Sequence, residues 1–137
     1  GPVGCGKTSL MKLLPYLAPH KTNYEIIPTR NIVFSFNASG FEVLEKYNET
    51  KNYCFDDLGV EPTGSHYAKE CNVLGEILLS RYELFCHPER SRRIFTHITT
   101  NLNAEELEKR YGNRVRSRLR QMFNLISFDK TSKDKRT

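Results

Sequence analysis

The first nine residues, Gly-Pro-Val-Gly-Cys-Gly-Lys-Thr-Ser, constrain this chain more than any other stretch. Gly1, four further residues and then Gly6-Lys7-Thr8 fill every fixed position of the pattern G-x-x-x-x-G-K-[ST]. Gly1, Gly4 and Gly6 let the backbone turn tightly, so that successive N–H groups, that of Cys5 among them, point at an anion. The start of the next helix, at Thr8 and Ser9, adds its free N–H groups and its dipole. The pattern places the Lys7 ammonium at the β- and γ-phosphates of a nucleotide and the Thr8 hydroxyl on Mg²⁺. A Gly-rich turn that merely resembles the motif is the alternative. Against it stands the run that follows, where Leu10, Leu13, Leu14 and Leu17 recur at helical spacing.

In this motif a buried strand leads into the loop, which then opens a helix. That strand is expected upstream of Gly1, central in its sheet, between the strand read at 52–55 and an outer neighbour.

At 137 residues the chain is expected to form one domain, 1–137, with a basic tail at 129–137. It has no apolar run near the roughly 20 residues of a membrane span and nothing resembling a signal peptide, so a cytoplasmic protein is expected. Cys5, Cys54, Cys71 and Cys86 include no C-x-x-C pair and read as reduced thiols. His66, Cys71, Cys86 and His87 match no metal-ligand spacing.

Charge is unevenly divided. Residues 87–137 carry thirteen Lys/Arg against six Asp/Glu, a net of +7, while residues 1–86 net −2. The imbalance points to an anionic partner for the C-terminal part, nucleic acid before membrane, or to a solvated basic surface.

The second informative stretch is 52–60, Asn-Tyr-Cys-Phe-Asp-Asp-Leu-Gly-Val. Tyr53, Cys54 and Phe55 read as a buried parallel strand that ends in Asp56 and Asp57. Acids at a strand's carboxyl end sit where open α/β sheets bind ligands. Asp56 is then a candidate for the Mg²⁺ shell and Asp57 for orienting or deprotonating a water. A second buried strand is read at 94–100, with Asn101 at its end. Asn101 has two roles open to it, contact with a terminal phosphate or its attacking water, and capping of the helix near Ala104, which Asn103 does better.

Between these strands the pattern predicts a short strand at 24–27, short helices at 31–36 and 41–47, and a long helix at 66–85. The long helix carries a stripe of Tyr67, Cys71, Leu74, Leu78, Tyr82 and Phe85. Helices at 104–111 and 113–123 flank Gly112, and a closing strand is read at 124–128. Val115, Leu119, Met122 and Phe123 form the apolar face of the last helix. Arg114 and Arg118 flank one side of it and Arg116 and Arg120 the other; either Arg118, nearer the apolar edge, projects along a subunit seam, or the four are a solvated face with ion pairs.

Three stretches taken together resemble the AAA+ ATPases, and among them the branch of DnaC-type helicase loaders and IstB-type transposition ATPases. These are the Gly1–Ser9 loop, Tyr-Cys-Phe-Asp-Asp-Leu-Gly-Val-Glu-Pro, and Thr-His-Ile-Thr-Thr-Asn-Leu followed by Arg-Tyr-Gly-Asn-Arg-Val-Arg-Ser-Arg-Leu. The resemblance runs from Gly1 to about residue 128 and implies an α/β P-loop NTPase core, a parallel sheet flanked by helices. By position, Lys7 and Thr8 match the Walker A lysine and hydroxyl, Asp56 the Mg²⁺-associated acid and Asp57 the second acid. Asn101 matches sensor 1, and Arg118 matches the arginine finger inserted into a neighbour's ATP site. Asp57 is shorter than the Glu most of the family uses, and the family's lid is short or absent, with Lys135 and Arg136 as candidates for a sensor 2. The resemblance further implies ATP and Mg²⁺ as cofactors, a homo-oligomer on DNA, most naturally single-stranded, and the loading or remodelling of a helicase or transposase. An ATP-gated assembly module with negligible turnover, or a non-functional gene fragment, are the competing readings.

Overall fold

The computed structural model describes residues 2–18, 23–87, 94–129 and 131. Its organising element is the strand that the apolar run at 53–55 forces. Tyr53, Cys54, Phe55 and Leu58 are each at most 1% exposed, so this strand, β2 (Tyr53–Leu58), is covered on both faces. It is paired in parallel on both edges, with β1 (Glu25–Pro28) on one side and β5 (Thr96–Thr100) on the other. Ile26, Cys54 and His97 stand level across the three strands.

Helices cover this sheet. The phosphate-loop pattern opens α1 (Lys7–Leu17). After β1 come α2 (Thr29–Ser39) and α3 (Glu42–Tyr47), separated at Gly40, whose φ of 71° ends α2. A two-stranded hairpin, β3 (Gly64–His66) and β4 (Lys69–Cys71), precedes α4 (Val73–Cys86). The last element is α5 (Ala104–Met122), broken at Gly112 (φ 89°, ψ 166°). One core joins Ile32, Val33 and Phe36 of α2, Leu74, Ile77 and Leu78 of α4, and Tyr111 and Val115 of α5 to the sheet. The architecture is therefore mixed α/β, a three-stranded parallel sheet flanked by helices.

Four expectations are corrected. Residues 66–72 are not helical. Tyr67 and Ala68 take φ of 51° and 61°, a hairpin turn of the kind in which both central residues are left-handed. Helix α4 then starts only where the Asn72 side chain accepts from the Gly75 N–H at 3.2 Å. The apolar stripe shifts accordingly: Leu74 and Leu78 are buried as expected, but Ile77, Arg81 and Leu84 complete the face, and Tyr67 and Phe85 are exposed. Residues 124–128 form no strand, because they find no ladder partner, and Leu125 and Ile126 are exposed. The break between α2 and α3 narrows from 37–40 to Gly40 and Phe41, since Gly40 donates its N–H to the Phe36 carbonyl and caps a longer α2.

The last correction concerns the strand expected upstream of Gly1. Both edges of β2 are already occupied by β1 and β5, so a further strand can join this sheet only outside one of those two. The basic loop at 89–93 and the tail, with Lys135 and Arg136, lie outside the described residues except for Asp129 and Thr131. Among the described residues no helix is long and apolar enough to cross a membrane.

Candidate active site

Sheet topology brings the start of α1 against the carboxyl ends of β2 and β5. Gly4 and Gly6 have φ of 74° and 94°, the left-handed turn that the pattern requires. Gly6 is the N-cap of α1 and has no side chain to cap it, the setting in which an anion takes the cap's place. The Lys7 ammonium donates to Asn101 Oδ1 at 2.6 Å and to the Pro2 carbonyl at 2.6 Å, with Cys5 Sγ at 3.5 Å. Beside it the Thr8 hydroxyl reaches Asp56, at 2.9 Å from Oδ1 and 3.1 Å from Oδ2. Cys5 is buried beneath the loop, and Ser9 is exposed and outside this cluster. Gly1 lies outside the described residues.

Lys7 and Asn101 are 94 positions apart and Thr8 and Asp56 are 48 apart, yet each pair is in hydrogen-bond contact. Of the two roles open to Asn101, the helix cap belongs to Asn103. Its side chain accepts from the Glu106 N–H while the Glu106 carboxylate accepts from the Asn103 N–H, a reciprocal capping box. That leaves the Asn101 side chain to the loop lysine.

Asp57 is held differently from Asp56. Its φ is 58°, a left-handed backbone that few non-glycine residues adopt, and it falls where the β2–β5 register slips between Phe55 and Leu58. Two buried threonines pin it. The Asp57 N–H donates to Thr99 Oγ1 at 2.9 Å, and its carbonyl accepts from Thr29 Oγ1 at 2.9 Å. The Thr99 hydroxyl in turn donates to Asp56 Oδ1 at 2.6 Å, so one side chain sets both acids. Asp57 lines an open cleft of about 600 Å³ with Arg30, Phe34, Val60 and Pro62, to which neither Thr8 nor Asp56 contributes.

Thr99 was not singled out in the sequence. A signal existed, because residues two apart on a strand share a face and Thr99 stands two before Asn101. Glu61 was also passed over. Only 4% exposed, it accepts from the Gly59 N–H at 2.7 Å and from the Tyr111 hydroxyl. Nothing in a lone Glu after a Gly-Val pair announces a buried carboxylate.

Arg118 does not join the cluster. Its guanidinium lies 4.7 Å from the centre of the Tyr82 ring on α4. The other arginines of this segment divide in the same way: Arg116 pairs with Glu108, whereas Arg114 and Arg120 are exposed. Of the cysteines, Cys54 is fully buried in β2. Burial first, and then the charge of Asp56, push its thiol up to about 12, which makes it a packing residue and not a nucleophile. No two cysteines are joined, and among the described residues no three His, Cys, Asp or Glu side chains group as a metal site.

The side-chain oxygens that meet at the loop, the Thr8 hydroxyl and the Asp56 carboxylate, are donors of the type that hard cations take, rather than nitrogen or sulfur. The chain matches no protein-family model. It also matches no curated protein sequence.

Proposed function

We propose that this chain is an ATP-binding and ATP-hydrolysing P-loop domain of AAA+ type. One observation carries the reading: Lys7, Thr8, Asp56 and Asn101 converge from three separate elements on the mouth of a glycine loop that opens a helix. The phosphate-loop pattern alone is a local signal, whereas this convergence is what phosphoryl chemistry requires of the tertiary fold.

In this reading the Lys7 ammonium exchanges its bonds to Asn101 and Pro2 for oxygens of the β- and γ-phosphates. Thr8 and Asp56 would hold Mg²⁺, which would supply positive charge against the phosphates. Asp57, fixed by Thr99 and Thr29, orients or deprotonates the water that attacks the γ-phosphorus in line as the bond to the β-phosphate oxygen breaks. Asn101, released from Lys7, contacts the same region. Arg118, whose guanidinium lies over the Tyr82 ring, acts on a neighbour's site in a homo-oligomer. The exposed arginines of α5 hold single-stranded DNA through its phosphates, and the cytoplasmic output is the loading or remodelling of a helicase or transposase.

The test is nucleotide binding and turnover in two variants. Lys7→Ala removes a charge-assisted donor worth about 1.5–3 kcal/mol, so Mg·ATP affinity should fall about tenfold or more. Asp57→Asn should keep the affinity and lose turnover. Equal loss of binding in both would make Asp57 a structural or metal-ligating group. Undiminished binding by Lys7→Ala would show that the nucleotide does not sit at the Lys7 loop and overturn this reading. Binding without any turnover, with or without single-stranded DNA, would favour the ATP-gated assembly module.

A further inference from the structure

Glu61 is a carboxylate that the chemistry above does not use, and it is almost entirely buried. Acids are seldom buried without partners that repay their lost hydration. The partners here come from two parts of the fold. On one side is the loop that follows β2, where Glu61 Oε2 accepts from the Gly59 N–H at 2.7 Å. On the other is α5: Glu61 Oε1 accepts from the Tyr111 hydroxyl and stands 3.6 Å from Arg110 Nε, while Arg110 also donates to the Glu61 carbonyl. Tyr111 is itself buried.

The place of this knot in the fold gives it a consequence. Gly59 lies two residues after Asp57, and the Val60 N–H closes back on the Asp57 carbonyl at 3.3 Å. A Cβ on Gly59 would run into the Leu102 side chain, so the loop has little room for another path. Arg110 and Tyr111 are the last residues before the Gly112 break, after which α5 carries Arg114 to Arg120. One carboxylate thus ties the strained acid at the candidate site to the hinge of the helix that bears the arginines.

We propose that Glu61 is a positioning residue that couples Asp57 to α5. A DNA strand that shifts α5 through its exposed arginines is then read at Asp57 through Arg110, Tyr111, Glu61 and Gly59. This regulation rests on the ATPase reading, but the mechanical link does not.

Two arms separate them. The first needs no nucleotide: hydrogen exchange of the full chain, wild type against Tyr111→Phe and Glu61→Gln. Tyr111→Phe changes only α5, yet amide exchange at residues 57–60 should rise at least tenfold while exchange in α2 stays as it was. Unchanged exchange at 57–60 overturns the coupling, whatever the protein does with ATP. The second arm measures Mg·ATP affinity and turnover at a temperature where both variants are folded. The expected result is affinity within about twofold of wild type with turnover lowered at least tenfold in each variant. The double variant should be no worse than either single one, because the two residues act as a unit. Normal turnover in both, with only a lower melting temperature, would reduce Glu61 to a packing role and overturn the proposal. Raised exchange in Tyr111→Phe, together with a wild type that binds no Mg·ATP, would sink the ATPase reading and the regulation with it, leaving the link alone standing. Should Glu61→Gln fail to fold, Tyr111→Phe decides both arms.

Discussion

Arg81 offers the sharpest test of how the sheet that carries the site is held. Its side chain is 0% exposed, and among the described residues it forms no ion pair with a carboxylate. Its guanidinium donates to Thr96 Oγ1 at 2.9 Å and to the carbonyls of Glu49 and Lys51, each at 2.8 Å. Longer contacts reach the carbonyls of Tyr47 at 3.4 Å and Phe95 at 3.3 Å, and the group lies 5.3 Å from the centre of the Tyr53 ring. Arg81 therefore fastens α4 to the segments leading into β2 and β5, whose alignment sets Phe55 beside Ile98 and brings Asp56 within hydrogen-bond reach of Thr99. Three well-formed bonds from a charged donor contribute roughly 1.5–3 kcal/mol each. Desolvating the guanidinium, which burial also drives down to about 10, offsets several kcal/mol of that sum. Arg81→Met removes both terms and leaves the carbonyls orphaned, for a net loss of about 3 kcal/mol. Arg81→Lys should be no better, because an ammonium keeps the charge but cannot present donors in the guanidinium's planar fork. Urea unfolding followed by circular dichroism measures this. With a slope of about 2 kcal/mol/M, the midpoint should fall by about 1.5 M in both variants. Midpoints within about 0.3 M of wild type, or a Lys variant that restores full stability, would refute the account of Arg81 as a multidentate tie.

Three further outcomes are expected. Arg118→Ala should retain ATP binding and lose stimulated turnover by a factor on the order of 10³, as removal of an arginine finger does. Mixing it with Asp57→Asn protein should recover part of the rate, and no recovery in a mixture shown to co-assemble would end the trans assignment. Affinity for single-stranded DNA should fall steeply with salt and be weakened more by reversing Arg114 and Arg120, both exposed, than by reversing Lys46 and Lys69. A salt-independent affinity would assign these charges to solvation instead. Stability should decline as pH rises from about 9 to about 12. The unfolded Cys54 thiol ionises near 9.0, while burial in the fold raises it to about 12, so the neutral form it favours is lost across that window. Cys54→Ala should flatten the decline in urea midpoint between neutral pH and about pH 10.5, and an unchanged decline would place its origin elsewhere.

What the amino-acid sequence determined by itself was local and periodic. The glycines of the first loop announce left-handed turns, and Gly4 and Gly6 take them. The run at 53–55 is apolar without alternation, which only a strand buried on both faces accommodates, and Gly112 interrupts a helical pattern where the backbone leaves helical geometry. These features follow from each residue's own steric and solvation preferences. Partners chosen at a distance were a different matter. Residues 66–72 share helical spacing with α4, but packing of the hairpin on α2 outweighed it, with the Ser65 N–H donating to Asn37 Oδ1 at 2.7 Å and His66 Nδ1 3.0 Å from the Asn37 carbonyl. Residues 124–128 have strand composition and pair with no strand among the described residues. The site divides along the same line. Residue types nominated Lys7, Thr8, Asp56, Asp57 and Asn101, but their contacts depend on β2 lying between β1 and β5, an order no local pattern encodes. Thr99, Glu61 and Arg81 escaped notice because a polar side chain acquires a buried role only from the groups that surround it, and those groups are assembled by the tertiary structure.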